Sequence, residues 1–105
     1  MSEGATLGEI ARLVRSKNAG PFWITLDVFF ADDDDYQRVL RSGAVNRHQV
    51  SHLYGVRAGD VQIYELPAIR VIKISFPKPI PQGAFLDNDM HAGQSFLPLA
   101  RLAVD

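Results

Sequence analysis

The clearest pattern in the chain is a period of two over residues 22–30. Every second position there is apolar, and the intervening positions are mixed, with Asp27 at their centre. Because a strand directs successive side chains to opposite faces of a sheet, this alternation predicts a central strand covered by helices on its apolar side. Shorter runs of the same kind predict strands over residues 61–66, 69–76 and 99–104.

A first helix is predicted over residues 6–16, where apolar side chains recur on one helical face. Thr6 and Glu9 have the spacing of a capping box, in which each side chain satisfies a free backbone N–H of the other residue. The segment Asn18–Pro21 would end this helix, because proline disfavours helix before it and glycine readily adopts a positive φ.

Two further helices are predicted over residues 36–42 and 47–54. The first follows four adjacent aspartates at 32–35, which we interpret as a solvated loop that also favours the helix N-terminus. Asn46 can cap the second of these helices. Near the C-terminus, residues 90–97 are predicted to contain one helical turn.

The mixture of helices and strands predicts a single α+β domain over residues 1–105, since strict β-α-β repetition is absent. We expect a ferredoxin-like fold with a mixed or antiparallel sheet of about four strands and helices on one face. The 105 residues suffice for one domain, and 47% hydrophobic with 22% charged residues is typical of a globular protein.

Composition narrows the class of protein. A net charge of −1 argues against a general nucleic-acid binder, which needs a basic face to displace counterions from phosphates. The absence of cysteine excludes disulfides and thiolate zinc sites and fits a reducing compartment. No signal peptide or membrane-spanning segment is evident, so we expect a bacterial cytoplasmic protein that binds neither nucleic acid nor membrane.

A basic segment directly before the central strand is the first candidate site. It combines two cations, a hydroxyl and an amide with a glycine: Arg15, Ser16, Lys17, Asn18 and Gly20. Backbone N–H groups of a glycine turn, together with Arg and Lys side chains, can bind phosphate or carboxylate. The alternative is a helix C-terminus, where the cations offset the helix dipole and the glycine ends the helix.

A second polar segment, near the C-terminus, contains Asp87, Asp89, His91 and Gln94. A carboxylate and an imidazole two positions apart can serve as acid and base. The same groups can bind a divalent cation, but the spacing matches neither an EF-hand nor a zincin motif, and we predict no metal site. The alternative is a turn in which Asp89 caps a short helix.

Charged and imidazole side chains within the predicted strands and helices complete the candidates. Lys73 lies in an apolar strand. It either acts as a base or as the partner of an anion, or it points outward from a half-exposed sheet. Asp27 is its natural partner if the two strands are neighbours. His48 and His52 have a spacing that can chelate a metal, but no third ligand is near, so we interpret them as a solvent-facing stripe. Motifs of hydrolases, NTPases and dinucleotide-binding proteins are absent.

Several segments together carry a resemblance to a known family: residues 15–22, 24–28, 72–77, 87–94 and 98–99. In these segments the chain resembles a family of small bacterial proteins catalogued as a domain of unknown function. That family is similar to the ferredoxin-like C-terminal domain of the acyclic terpene utilisation protein family. In the larger family an Arg-Ser-Gly-Asp-Lys-Gly stretch occupies the place of Arg15–Gly20. Here Lys17-Asn18-Ala19 lacks the acidic residue, so a role of that acid does not carry over.

The resemblance implies an α+β fold and association with a large subunit of the terpene-utilisation type, in the catabolism of organic acids or acyl-CoA compounds. Our leading hypothesis is a small accessory subunit or interaction domain. It would pair with that subunit, or with further copies of itself, and would contribute five residues to a shared site: Arg15, Lys17, Asp87, Asp89 and His91.

Two other functions remain open at this point. A stand-alone lyase or hydratase would hold a carboxylate or acyl-CoA substrate with Arg15 and Lys17 and exchange protons through Asp89 and His91. A small-ligand-binding regulatory domain is suggested by analogy with other ferredoxin-like folds. Each hypothesis requires the two polar segments to lie side by side, and the sequence identifies no cofactor.

Overall fold

The structure, a computed structural model, describes residues 5–78 and 96–104. The helices are α1 (Leu7–Ile10), α2 (Asp33–Ser42), α3 (Arg47–Tyr54) and α4 (Phe96–Ala100). The strands are β1 (Leu13–Asn18), β2 (Trp23–Phe29), β3 (Gln62–Leu66) and β4 (Val71–Pro77), and short 3₁₀ turns occupy Ala58–Asp60 and Pro67–Ile69.

The four strands form one antiparallel sheet with the spatial order β1-β2-β4-β3. The predicted α+β class with a four-stranded antiparallel sheet is therefore confirmed. β2 and β3 run in the same direction with β4 between them, and α2 and α3 form the crossover that joins them. The described chain begins this sheet with a β1–β2 hairpin, so it does not follow the β-α-β-β-α-β order of a ferredoxin-like chain.

The prediction of a helix over residues 6–16 was wrong beyond its first turn. The helix α1 ends at Ile10; the backbone of the next residue, Ala11, is extended, and the chain then enters β1. Val14 fits both the helical period and the period of two, so local pattern does not distinguish the two structures. Pairing with β2 decides the outcome, because all six β1 residues lie in register with β2 and the ladder satisfies the backbone groups that point toward it.

The prediction of a strand over residues 99–104 was also wrong. Residues up to Ala100 belong to α4, and a single bridge joins Ala103 to Thr6 beyond it. Leu99 and Leu102 are both buried, a spacing of three that suits a helical turn. The fourth strand of the sheet is β1 instead. The helical turn predicted within residues 90–97 lies mostly outside the described residues.

The predicted helix starts depend on side-chain caps, and these are present. Thr6 and Glu9 form the reciprocal capping box of α1, and the Asn46 carboxamide oxygen accepts a hydrogen bond from the Gln49 N–H at 2.8 Å. Helix α2 begins three residues earlier than predicted, because the Asp32 carboxylate accepts from the Asp35 N–H at 3.0 Å. The aspartates that follow the cap therefore lie in the first turn of α2, where the helix dipole favours them.

The hydrophobic core lies on one side of the sheet, which we call the inner face. Alternate residues of β2 and β4 point into it and are almost completely buried; they include Leu26, Val28, Ile72 and Ile74. Buried residues from the helices, such as Tyr36 of α2 and Val50 of α3, join the same cluster. Among the described residues, no helix is long and apolar enough to cross a membrane.

The opposite side of the sheet, which we call the outer face, follows from the strand register. Val71 is buried there, yet it does not belong to the core cluster that the helices cover. Because facing residues in adjacent strands point the same way, the outer face consists of residues 13, 15 and 17 of β1, 23, 25, 27 and 29 of β2, 62, 64 and 66 of β3, and 71, 73, 75 and 77 of β4.

Candidate functional site

A row of three charged residues crosses the middle of the outer face. In the sheet register Arg15 of β1 stands opposite Asp27 of β2, which in turn stands opposite Lys73 of β4. Directly opposed residues in antiparallel strands have neighbouring side chains. The fold thus places a carboxylate between two cations that are far apart in the sequence, and it makes Asp27 the neighbour of Lys73.

The carboxylate of this row lies beneath its two cations. The Asp27 side chain is 5% exposed, whereas the Arg15 and Lys73 side chains are 53% and 40% exposed. The Arg15 Nε lies 3.6 Å from Asp27 Oδ2, and the Lys73 Nζ lies 3.4 Å from Asp27 Oδ1. A buried carboxylate is costly unless it is paired, so these contacts explain why Asp27 is tolerated here.

The pairing leaves an excess of donors. Two cations share one carboxylate, and Asp27 Oδ1 accepts no hydrogen bond from any described residue despite the nearby ammonium group. Arg carries five N–H donors and Lys three. Lys17, exposed on the same face of β1, adds a third positive charge opposite Thr25. Positive charge therefore dominates the centre of the outer face.

An apolar recess adjoins the charged row. The Arg15 guanidinium carbon lies 5.0 Å from the centre of the Phe29 ring, within the range of a cation–π contact. Beyond Phe29, Leu66, Ile69 and Val71 complete the apolar wall of an open depression of about 190 Å³ that also contains the charged row. One end of the depression is therefore cationic and the other is hydrophobic.

The first predicted site takes a different form from the one expected. Arg15, Ser16, Lys17 and Asn18 are strand residues, so their backbone N–H groups do not form an anion-binding glycine turn. Arg15 and Lys17 point to the outer face, whereas Ser16 and Asn18 alternate toward the inner side. Gly20, with φ +85°, belongs to the turn between β1 and β2. Only the two cations of that segment reach the charged row or its neighbourhood.

The second predicted site, formed by Asp87, Asp89, His91 and Gln94, lies outside the described residues. Its predicted proximity to the basic segment stays a prediction. His48 and His52 are exposed on α3. Within residues 5–78 and 96–104, no three His, Cys, Asp or Glu side chains are close enough together to hold a metal ion.

The apolar half of the depression was missed from the sequence. Phe29 and Val71 lie within predicted strands but carry no chemistry that marks a site, and Leu66 and Ile69 border the gap between two predicted strands. A signal was nevertheless available, because Asp27 and Phe29 share the mixed face of β2, and Val71 shares a face with Lys73. What the pattern lacks is the order of the strands, which brings these two faces together.

Comparison with known proteins places the chain in a family. No curated protein and no solved structure matches it significantly. The model of a family described as a domain of unknown function, DUF4387, matches residues 7–103, from the first residue of α1 to the bridge that follows α4. This match covers nearly the whole chain, including all four strands and the charged row. The protein therefore belongs to the DUF4387 family.

Proposed function

We propose that this protein is a small accessory subunit that docks through the outer face of its sheet onto a larger protein of the acyclic terpene utilisation type. The proposed setting is the bacterial cytoplasm and the catabolism of organic acids or acyl-CoA compounds. The observation that carries the docking role is the outer face itself, where positive charge lies among exposed apolar side chains.

Exposed apolar side chains support docking rather than a solvated sheet. On or beside the outer face, Leu13 is 49% exposed, Tyr64 48% and Ile69 63%. Isolated exposed apolar residues are common on proteins, but here Leu13 stands opposite Phe29, Tyr64 stands opposite Lys73 and Ile69 lines the apolar recess. Interface centres typically combine aromatic and aliphatic anchors with a few well-placed charges.

Charge determines the chemistry of the expected partner. Arg15, Lys17 and Lys73 outnumber the single carboxylate of Asp27 on this face. A complementary surface therefore presents an acidic group within an apolar patch. The choice of a terpene-utilisation subunit rests on the sequence resemblance, and the proposed contribution of Asp87, Asp89 and His91 to a shared site comes from the same source.

The docking role can be tested by affinity capture from the source organism followed by binding measurements with the purified partner. We expect a stoichiometric complex with a large subunit of the stated type. Ile69→Ser should weaken this complex about tenfold or more, because it removes an exposed apolar anchor. Lys73→Glu should weaken it similarly by reversing a charge on the docking face.

Leu97→Ser is the matched control, since Leu97 is another partly exposed aliphatic residue but belongs to α4 and not to the outer face. This variant should bind like the wild type. Capture of this chain alone, together with a monomeric sedimentation profile, would contradict the docking role. Turnover of a carboxylate or acyl-CoA substrate by the purified chain would favour a stand-alone lyase or hydratase instead.

A further inference from the structure

We infer that the depression on the outer face binds a carboxylate group that carries a short apolar substituent. The cationic pair Arg15 and Lys73 would hold the carboxylate, and the recess formed by Phe29, Leu66, Ile69 and Val71 would hold the substituent. This inference goes beyond the proposed docking role and stands without it, since the carboxylate can belong to a free organic acid or to an acidic side chain of a partner.

The charge balance of the row indicates an anion. Asp27 compensates one of the two cations, and its carboxylate lies buried below them. The cations are about half exposed and stand on either side of it, so the donors that no described residue engages are open to solvent. A second carboxylate in front of the sheet would be shared by both cations and would complete a balanced four-charge arrangement.

The geometry of the cations favours a planar, bidentate anion. Both contacts to Asp27 are long for hydrogen bonds, at 3.6 Å and 3.4 Å, so neither cation is fully engaged by it. The ring of Phe29 supports the Arg15 guanidinium from one side. A guanidinium held in this way presents its remaining N–H groups in a fixed plane, which suits a carboxylate.

The recess determines what the carboxylate carries. Its apolar wall begins at Phe29 and Val71. These two residues stand opposite each other in the sheet register and form the next pair on the outer face after Asp27 and Lys73. The whole depression, including the part at the charged row, has a volume of about 190 Å³, which compares with roughly 150 Å³ for an engineered cavity that binds benzene. The space therefore fits a substituent of a few carbon atoms beside the carboxylate, and an inorganic anion would leave the apolar part empty.

Binding can be measured by titrating the ¹⁵N-labelled full chain with small probes in NMR spectra. Butanoate carries both groups, acetate lacks the longer apolar part, and butan-1-ol lacks the charge. We expect saturable shifts of Arg15, Phe29, Val71 and Lys73 with butanoate, and a Kd about tenfold lower than for either other probe. Equal affinity for all three probes, or shifts confined to other residues, would overturn the inference.

Variants assign the effect to the cationic pair. Arg15→Met and Lys73→Met keep the aliphatic stems and remove the charges, so each should raise the Kd for butanoate about fivefold or more. Arg41→Met, on the exposed side of α2, is the control and should leave the Kd unchanged. Unchanged affinity in both site variants would contradict the inference.

Asp27→Asn provides a test of opposite sign. This variant removes the competing carboxylate and leaves two uncompensated cations, so butanoate should bind more tightly, by about threefold or more. If Asp27 served only to hold Arg15 and Lys73 in position, its replacement would weaken the binding of butanoate instead. The methionine variants still test the site if Asp27→Asn does not fold.

The source of the carboxylate is distinguished by a second titration, with a blocked peptide that presents one glutamate between leucines. Tighter binding of the peptide than of butanoate assigns the depression to a partner side chain, and the reverse order assigns it to a free acid. If neither probe binds, the inference fails whether or not a docking partner is captured. If no partner is captured but butanoate binds, the docking role fails and this inference stands.

Discussion

Tyr54 shows at the scale of a single residue how the C-terminal part of the chain is attached to the core. Its ring packs on Phe76 of β4 with a centroid distance of 4.8 Å, and its hydroxyl oxygen accepts a hydrogen bond from the Leu99 N–H at 3.2 Å. Burial raises the pKa of the Tyr54 phenol to about 12, against an ordinary value of 10.0, although the Leu99 N–H acts in the lowering direction. The neutral phenol is therefore part of the folded state.

This raised pKa predicts a loss of stability in alkali. Because the folded state retains the Tyr54 proton when the unfolded chain has already lost it, the contribution is present below pH 10 and disappears as the pH approaches 12. For a partly exposed phenol we expect this loss to amount to about 1–2 kcal/mol of unfolding free energy. Urea denaturation at pH 9 and pH 11.5 measures it.

Tyr54→Phe should lose less stability over this pH interval, while being less stable at pH 9 by about 1 kcal/mol because the Leu99 N–H loses its acceptor. Tyr64→Phe, which removes a hydroxyl from an exposed residue, should show the alkaline loss of the wild type. An identical pH dependence in Tyr54→Phe and the wild type would contradict the role of Tyr54.

The N-terminal helix α1 is held in the fold by its close contact with α4. α1 comprises only four residues, so it gains little from its own hydrogen bonds and depends on packing. Leu7 is fully buried, and its N–H donates to the Leu102 carbonyl at 2.8 Å. Gly8 allows the close approach of α4, since a Cβ atom at this position would lie 3.0 Å from the Ala100 carbonyl oxygen.

Gly8→Ala should therefore destabilise the protein by about 1–2 kcal/mol, even though alanine is the better helix former. The new methyl group meets the backbone oxygen and the Cβ of Ala100, neither of which can rotate away. Gly59→Ala is the matched control in the 3₁₀ turn Ala58–Asp60, where no atom lies within 4 Å of the added carbon. The urea midpoint should fall for Gly8→Ala and stay nearly unchanged for Gly59→Ala; equal midpoints would rule out the packing argument.

At the scale of the whole molecule, the sheet separates the packed core from the face for which we propose a binding role. Its inner face carries the core, and the helices cover that side. Its outer face carries the charged row, the apolar recess and exposed apolar residues. Because successive side chains of a strand point to opposite faces of the sheet, residues of one face can be altered without removing the packing of the other.

Two leucine truncations test this separation. Leu26 on the inner face is fully buried, whereas Leu13 on the outer face is 49% exposed. Leu26→Ala should reduce the free energy of unfolding by about 3 kcal/mol through the lost transfer energy and the cavity left behind. Leu13→Ala should cost less than about 1 kcal/mol. Comparable losses, measured by urea denaturation, would show that the outer face also belongs to the core.

Much of the local structure was predictable because it depends on neighbouring residues. The alternation in residues 22–30 located β2, and the predicted caps at Thr6 and Asn46 correspond to helix starts. Such features arise from interactions within a few positions, which a linear pattern records directly. The sequence pattern also predicted that Asp27 and Lys73 are partners if their strands are neighbours.

The sequence by itself determined the α+β class, the inner face of β2 and the residue types available for binding an anion. Only the tertiary structure decided that residues 13–18 are a strand and that Phe96–Ala100 is a helix. It also decided that Arg15, Asp27 and Lys73 lie in one row. The reason is that strand pairing joins residues distant in the chain, such as Asp27 and Lys73. The backbone hydrogen bonds of that pairing override a local helical pattern, and their register sets which side chains meet.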